Sequence, residues 1–162
     1  MRKVILQLAV SLDGFIEGPN GEFDWCFTDD DYGMTNFFKR INSIFIGRKS
    51  YELTLTMGGS APPGFPLLKE YVFSNSLKEL EGNRILVNGN LADEVNKIKN
   101  EPGKDIWLYG GAALTTTFIK LGLIDEMTLA VHPILLGAGK YLFQNISGRI
   151  PLQMINAQTY PS

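Results

Sequence analysis

Short apolar runs alternate with segments of helical spacing along the chain. Residues 3–11 are apolar almost continuously, and similar runs recur at 43–47, 71–74, 84–88, 105–109 and 126–132. A continuous apolar run suits a strand that is covered on both faces, as in the middle of an α/β sheet. The pattern therefore predicts six buried strands.

Apolar residues at spacings of three and four predict helices between these strands. The residues that carry the spacing are Met34, Phe37, Phe38 and Ile41 in the first helix, Leu91, Val95 and Ile98 in the second, and Leu114, Phe118 and Leu121 in the third. The first helix is expected near 29–42, with Thr28 as its N-cap and Asp31 three places on. Asn90 is expected to cap the second helix, and Gly122 to end the third.

Strands that alternate with helices predict an α/β fold with a mainly parallel central sheet and helices on both faces. Ligands are expected at the carboxyl ends of the strands. Residues 57–66 are rich in glycine and proline and predict a loop. Residues 151–160 are expected to supply an antiparallel C-terminal strand. Because the chain stops at Ser162 before a partner for that strand, either the chain is truncated or a sheet edge is open.

Composition narrows the class of protein to one globular domain over residues 1–162. The 162 residues are 44% apolar and 20% charged, with a net charge of -2, which gives no electrostatic reason to expect broad contact with nucleic acid or anionic membranes. Cys26 and His132 are single, so an internal disulfide, a Cys/His metal site and a His-based triad with a second histidine are excluded. No segment is long enough to span a bilayer and no cleavable leader is apparent, so a cytoplasmic protein is expected.

Residues 43–52 (SIFIGRKSYE) read as a buried strand, a glycine, two cations, a hydroxyl and a helical segment. A helix N-terminus presents unpaired N–H groups, Gly47 permits close backbone approach, and Ser50 can donate a further hydrogen bond. Arg48 and Lys49 add full positive charges, and arginine suits forked contact with phosphate. The pattern indicates an anion site that fits a 2′-phosphate. The alternative is a pair of solvated surface cations.

Residues 105–119 (DIWLYGGAALTTTFI) form a second strand that enters a helix, here through Gly110 and Gly111. The glycines permit positive φ and remove side chains from the approach, so a diphosphate fits at this helix start. Neither the G-x-G-x-x-G fingerprint nor a P-loop signature is present. The alternative is a tight strand-to-helix turn without a ligand.

Residues 11–25 (SLDGFIEGPNGEFDW) form a long excursion, punctuated by glycines, after the first strand. Loops of this length inside compact domains are often functional. Asp13 with Gly14 is either a turn pair or part of a site, and Trp25 is either a lid on the core or a substrate contact.

In this order the motifs resemble the dihydrofolate-reductase-like superfamily, and more closely the branch related to the reductase domain of bacterial riboflavin biosynthesis. The resemblance rests on S-L-D-G at 11–14, I-G-R-K-S-Y-E at 46–52, Y-G-G at 109–111 and H-P-I-L-L-G-A-G-K-Y-L-F at 132–143. It covers nearly the whole chain.

The resemblance implies an NADPH site in which both glycine turns grip one dinucleotide. The implied cofactor-binding residues are Gly47, Arg48, Lys49 and Ser50 at the 2′-phosphate end, Ser74 and Asn75 beside the adenosine, Gly110, Gly111, Ala113, Leu114 and Thr115 at the diphosphate and ribose, and Ala9 and Ile16 against the nicotinamide. The implied substrate-binding residues are Trp25, Met34 and Phe38. The cofactor supplies the hydride, so the protein positions it and manages a proton.

The acid that folate reductases carry on the first helix is replaced here by Met34. The resemblance makes Asp13 the candidate catalytic residue, because the related riboflavin-pathway reductases have an acid in this signature, while Asp29, Asp30 and Asp31 are expected to cap the helix and compensate its dipole. Structural roles are expected for His132 and for Cys26, which is interpreted as a small hydrophobe. Lys39 and Arg40 are expected near the pocket.

Together these features predict an NADPH-dependent oxidoreductase acting on a small heterocyclic or carbonyl substrate. The closest precedent is the riboflavin-pathway reductase that converts the sugar of a phosphoribosylamino-uracil to a ribityl chain. Two alternatives stay open: a dihydrofolate reductase that uses Asp31 as a displaced acid, and a non-catalytic NADPH-binding protein. A small-molecule substrate and a homodimer are the expected partners, without nucleic acid, membrane or metal.

Overall fold

The computed structural model describes residues 1–58 and 64–161. In chain order its elements are β1 (Val4–Ser11), β2 (Phe15–Glu17), α1 (Met34–Arg40), β3 (Ile41–Gly47), α2 (Arg48–Thr56), β4 (Lys69–Phe73), β5 (Ile85–Val87), α3 (Leu91–Asn100), β6 (Asp105–Gly110), α4 (Ala112–Lys120), β7 (Glu126–His132) and β8 (Lys140–Tyr141). The six predicted strands are all present, with ends that move by at most two residues.

The central sheet has the strand order β5-β4-β3-β6-β1-β7, and every neighbouring pair in it is parallel. This confirms the predicted parallel α/β sheet. A second sheet pairs β2 with β8 in antiparallel fashion. The sequence analysis missed both of these strands because three and two residues are too few to show a period.

Alternation along the strands sends side chains into two separate cores. One core packs Phe45, Leu108 and their same-face neighbours against Val95 of α3 and Phe118 of α4. The other packs Ile5, Trp107 and their same-face neighbours against α1 and α2. Helices therefore cover both faces, as expected for strands that read as continuous apolar runs.

The first helix begins later than predicted, at Met34 instead of residue 29. Tyr32 and Gly33 adopt φ of 47° and 82°, a left-handed conformation that a helix cannot continue through. Thr28 is consequently not a cap. Gly33 is the N-cap, without a side-chain cap, and the Asp31 carboxylate two residues earlier accepts hydrogen bonds from the backbone N–H and hydroxyl of Thr35 at 2.9 and 2.6 Å.

The other predicted helix ends agree with the structure. Asn90 caps α3 by accepting from the backbone N–H groups of Ala92 and Asp93 at 3.0 and 3.2 Å. Gly122, with φ of 63°, follows α4, and its N–H donates to the carbonyl of Ile119.

The predicted C-terminal strand is wrong in its position. Residues 151–161 carry no regular secondary structure, and the last strand of the described chain is instead Lys140–Tyr141. Residues 151–159 are exposed throughout, so they lack the buried face that would hold a strand in register. In the predicted loop 57–66, residues 59–63 lie outside the described residues. No helix of the described chain combines the length and apolarity needed to cross a bilayer.

Phe45 is fully buried and packs ring against ring with Tyr71, Phe73 and Phe118. Phe45→Ala should lower the free energy of unfolding by about 3–5 kcal/mol, because it removes apolar contacts and leaves a cavity. Urea unfolding followed by circular dichroism measures the change. Leu67→Ala, at a fully exposed side chain, is the control and should stay within about 0.5 kcal/mol of the parent. Equal losses would contradict the described core.

Candidate functional site

The centre of the sheet opens at its carboxyl edge. β1 and β6 pair over only three residues, and the last pair is Leu6 with Leu108. Beyond that point β1 stays on β7 and β6 stays beside β3 as far as Gly110. The indole N–H of Trp107 donates to the backbone oxygen of Gln7 at 2.9 Å where the strands part. The result is a crevice at the carboxyl ends of two parallel strands, the usual place for a ligand in such sheets.

Two glycine turns meet on one side of this crevice. The Ser50 hydroxyl donates to the carbonyl oxygen of Gly110 at 3.3 Å and so joins the turn after β3 to the turn after β6. A Cβ on Gly47 would lie 3.4 Å from that same oxygen, and a Cβ on Gly111 would lie 3.1 Å from the Ser50 hydroxyl. The turns are therefore neighbours, as predicted. Side chains at these positions would fill the space between them.

Helices α2 and α4 both start at this cradle. Neither N-terminus has a side-chain cap, so backbone N–H groups in each first turn remain for a ligand. Arg48 and Lys49 are exposed beside the first of these helix starts. Arg48 contacts Glu52 at 2.9 Å, an exposed pair of the kind that contributes little and leaves the guanidinium available. The arrangement is suited to an extended polyanion.

One predicted ligand contact in the cradle needs correction. Thr115 is only 2% exposed and lies on the inward face of α4, with Phe118 and Ile119. A Cβ on Gly110 would lie 2.6 Å from the Thr115 hydroxyl oxygen, and Gly110 has φ of 90°. Thr115 therefore supports the Gly110 turn from beneath and is not open to a ligand. Ala113, by contrast, is exposed.

The remaining predicted cofactor residues lie along the same edge. The Ser74 hydroxyl accepts from the backbone N–H of Leu77, and the Asn75 amide oxygen accepts from the N–H of Gly89, so both stabilise the turns after β4 and β5. Leu114 packs against the core beside Gly47. Ala9 and Ile16 lie on different faces of the sheet: Ile16 packs on the Phe45 core, whereas Ala9 alternates to the α1 side. A nicotinamide ring could therefore contact both Ala9 and Ile16 only by lying over the carboxyl edge of the sheet.

Asp13 ties the turn after β1 to residues 134–137. Its carboxylate accepts hydrogen bonds from the Ser11 hydroxyl at 2.6 Å and from the backbone N–H groups of Leu136 and Gly137 at 3.2 and 2.8 Å. The hydrogen bond from Ser11, followed by those from the two backbone amides, lowers the pKa of Asp13. Asp13 is thus a poor proton donor at neutral pH, and the contacts give it a positioning role. Its predicted catalytic role stays a prediction.

His132 holds the loop that carries Trp25. Its Nε2 accepts from the backbone N–H of Phe27 at 3.0 Å, and Nδ1 lies 3.0 Å from the Ala130 carbonyl oxygen, so both ring nitrogens contact backbone groups. Trp25 packs edge-on against this ring at 5.3 Å. The indole N–H of Trp25 is buried and has no hydrogen-bond partner in the described part of the chain. The expected structural role of His132 agrees with these contacts.

Two of the three predicted substrate residues, Met34 and Phe38, line the α1 side of the crevice. The thioether of Met34 accepts from the Gln7 amide at 3.1 Å, and Phe38 packs against Trp107 and Phe65 with ring centroids 6.1 and 5.0 Å away. Trp25 also lines a separate cleft of about 360 Å³ with Glu22, Asp24, Ile134 and other residues. Met34 and Phe38 therefore share one wall, whereas Trp25 belongs to the loop above β7.

Lys39 and Arg40 do not lie near this site. The Arg40 guanidinium binds Asp105 and Glu126, at the amino ends of β6 and β7, with N–O distances of 3.4 and 2.7 Å. Lys104 donates to the Lys39 carbonyl at the same end. Lys39 and Arg40 form the last turn of α1. Because the helix runs antiparallel to the strands, this turn lies at the amino edge of the sheet, opposite the crevice. The expectation that they approach the pocket is wrong.

Sequence reasoning assigned no site role to the side chains of two polar residues at the crevice, Gln7 and Tyr109, although Tyr109 belongs to the Y-G-G motif. Gln7 is the single polar residue in the apolar run 4–10 of β1, and this interruption could have marked it as a candidate site residue. Tyr109 is the last side chain of β6 before the glycine turn, and nothing in an apolar strand marks it as exposed. No metal-binding cluster of His, Cys, Asp or Glu occurs among residues 1–58 and 64–161.

Comparison with known proteins assigns these features to a family. A family described as the RibD C-terminal domain matches residues 2–162. The uncharacterized protein YyaP of Bacillus subtilis (strain 168) is 49% identical over 173 residues, covering 99% of this chain and 90% of YyaP. The uncharacterized protein YwjB of the same organism is 31% identical over 159 residues, covering 94% of this chain and 89% of YwjB.

Solved structures share the architecture. A candidate riboflavin biosynthesis protein from Shewanella sp. PV-4 superposes with a TM-score of 0.77 at 27% identity, over 91% of this chain and 86% of that one. RibD of Acinetobacter baumannii gives 0.65 at 20% identity, and this chain covers 51% of it. Dihydrofolate reductase from Enterococcus faecalis, complexed with NADP(H), gives 0.62 at 16% identity, over 89% of this chain and 78% of the enzyme. The last two show a common fold.

Asp13→Asn should destabilise the protein at neutral pH and progressively less in acid. The sign follows from the lowered pKa: an ionised Asp13 adds stability above its unfolded pKa, and that stability is lost as the pH falls through the lower folded pKa. Urea unfolding between about pH 3 and pH 7 tests this. Asp93→Asn on the exposed face of α3 is the control. A difference from the parent that does not shrink in acid would contradict the described contacts.

Proposed function

The chain belongs to the RibD C-terminal domain family, and from that premise we propose that it is an NADPH-dependent oxidoreductase acting on a small carbonyl or heterocyclic substrate. The family relationship and the dihydrofolate-reductase-like fold make it a member of a reductase family. The observation that carries the proposal is the contact between the two glycine turns, in which the Ser50 hydroxyl donates to the Gly110 carbonyl oxygen, beside the parted strands β1 and β6.

The cradle fits a dinucleotide phosphate. Two uncapped helix starts provide N–H groups and positive dipole ends for a diphosphate, and the glycines leave room for it. In the proposal Gly110, Gly111 and Ala113 bind the diphosphate, while Arg48 and Lys49 bind the adenosine 2′-phosphate. The nicotinamide end then enters the crevice beside Ala9. When bound, the cofactor supplies the hydride, and this chain's residues orient the substrate and exclude water.

Side chains hold two loops in place at the carboxyl ends of β1 and β7. His132 binds the backbone of the loop at 23–27, and Asp13 binds the backbone of the loop at 134–137. Exclusion of water from a reacting hydride donor is a requirement of such a site. We therefore assign Asp13 and His132 as positioning residues of the proposed enzyme.

The two alternatives have less support. A folate reductase would need Asp31 as its acid, yet that carboxylate binds Thr35 at the start of α1 and is exposed. A non-catalytic protein would bind NADPH in the same cradle as the proposed enzyme, so one assay of turnover separates the two. Oxidation of NADPH on addition of carbonyl compounds supports the enzyme, and tight binding without oxidation supports the binding protein. The expected homodimer stays a prediction.

Arg48→Ala combined with Lys49→Ala should weaken NADPH binding by about tenfold or more and change NADH binding less than about twofold. The reason is that both cations act on the 2′-phosphate, which NADH lacks. Isothermal titration with each cofactor measures both dissociation constants.

The control is Lys97→Ala combined with Lys120→Ala, which removes the same charge from helices α3 and α4 away from the cradle. This pair should leave both affinities unchanged. Equal losses for NADPH and NADH in the Arg48 and Lys49 variant would overturn the 2′-phosphate assignment.

A further inference from the structure

Two uncharged polar side chains frame the crevice on its α1 side. Ile5 and Trp107 are a cross-strand pair on this face, and two residues further along each strand stand Gln7 and Tyr109, where β1 and β6 have parted. The Tyr109 side chain is 46% exposed and packs against Trp107 with ring centroids 5.2 Å apart. Its hydroxyl makes no hydrogen bond within residues 1–58 and 64–161.

The surface of the sheet beside Gln7 and Tyr109 is formed by small side chains. On the same face Ala9 of β1 is directly paired with Ala130 of β7, and both are half-buried. Met34 stands at one end, where the Gln7 amide N–H donates to its thioether, and the Gln7 amide oxygen accepts no hydrogen bond from a described residue. The arrangement leaves an acceptor on Gln7 and a donor on Tyr109 above a shallow apolar surface.

The charge around this face is one-sided. Residues 4–38, which run from β1 through the loop that carries Trp25 into α1, contain seven carboxylates and neither lysine nor arginine. They are Asp13, Glu17, Glu22, Asp24, Asp29, Asp30 and Asp31. Lys39 and Arg40, which follow, lie at the opposite edge of the sheet. Glu17 is paired with Lys140 at 2.7 Å, and Asp29, Asp30 and Asp31 lie just before the start of α1, so an anionic substrate on this side would meet more negative than positive charge.

We propose that the crevice takes an uncharged, non-phosphorylated carbonyl compound, that its carbonyl oxygen accepts a hydrogen bond from the hydroxyl of Tyr109, and that Tyr109 is the proton donor. The Gln7 amide oxygen is then left to accept from a donor group elsewhere on the substrate. This inference rests on the proposed function. It separates the chain from the riboflavin-pathway precedent, whose substrate bears a phosphate.

The chemistry balances with the reductant already proposed. NADPH, when bound, would supply a hydride for a new C–H bond at the carbonyl carbon; the C=O π electrons would move to oxygen, and that oxygen would take the proton of the Tyr109 hydroxyl. Water then returns a proton to the phenolate. Burial, with a smaller effect of the nearby Cys26, raises the pKa of Tyr109, so the phenol keeps its proton at neutral pH.

Other proton donors near the crevice are already engaged or weak. Both ring nitrogens of His132 are occupied by backbone groups, and Asp31 binds Thr35 at the start of α1. Burial raises the pKa of the Cys26 thiol, and a thiol is a weak hydrogen-bond donor. Tyr109 is therefore the donor with a free hydroxyl on the face where the strands part.

Tyr109→Phe tests the hydroxyl while keeping the ring on Trp107. With the methyl ester of p-formylbenzoate as substrate, kcat should fall about 100-fold, and the dissociation constant for NADPH should change less than about twofold. In a profile of kcat against pH, the parent should also lose activity at high pH as the phenol ionises. That fall at high pH should be absent from the profile of Tyr109→Phe. Tyr141→Phe, at a tyrosine 52% exposed on β8, is the matched control and should behave like the parent.

A second measurement does not depend on turnover. With NADP⁺ bound, the aldehyde stays intact, and its C=O stretching frequency can be read by Raman difference spectroscopy. A hydrogen bond from Tyr109 lowers this frequency. The Raman band of the aldehyde C=O should therefore lie at a higher frequency in Tyr109→Phe than in the parent or in Tyr141→Phe. An unchanged frequency would contradict the assigned hydrogen bond.

The charge of the substrate is tested with one matched pair of probes. The methyl ester and p-formylbenzoate carry the same aldehyde and differ by one negative charge, and the ester should have the higher kcat/KM by at least about tenfold. Preference for the anion, or failure to bind or reduce the ester while NADPH binds, overturns this inference and leaves the cofactor assignment standing. Failure to bind NADPH overturns both.

Discussion

The parting of β1 from β6 after Leu6 and Leu108 is the constraint on which the rest of the site depends. Each strand keeps its other neighbour, so the sheet stays closed on both sides while its centre opens by a few residues. The Trp107 indole bridges the opening to the Gln7 backbone and compensates one of the backbone groups that the ladder no longer pairs. The glycine turns, the loops that Asp13 and His132 hold in place and the polar pair are all arranged around this gap.

The site is electrostatically divided along the carboxyl edge. The cradle end has two uncapped helix starts and the cations Arg48 and Lys49, whereas residues 4–38, which lead into α1, contain seven carboxylates and neither lysine nor arginine. Such a division favours one orientation of an asymmetric ligand pair, with phosphates on the basic end and an uncharged reacting group on the other. A net charge of -2 for the whole chain conceals this local separation.

Much of the fold and of the cradle was predictable, and the reasons are local. A strand read from residues 126–132 has those same bounds in the structure, and Asn90 and Gly122 act at the predicted helix ends. The glycines of the cradle were found because a strand, a glycine and a helix follow one another in the sequence. The start of α1 was not found, because the left-handed Tyr32 and Gly33 override a continuous helical spacing.

The sequence by itself determined the alternation of strands and helices, the parallel sheet and the two glycine turns, because periodicity and backbone freedom are properties of neighbouring residues. Only the tertiary structure decided which residues the crevice exposes. The Thr115 side chain is buried under α4, and the Arg40 side chain lies at the amino edge of the sheet. Tyr109 is accessible where β1 and β6 separate. Those outcomes depend on strand order and on which face a helix covers, and both are set by contacts between residues far apart in the chain.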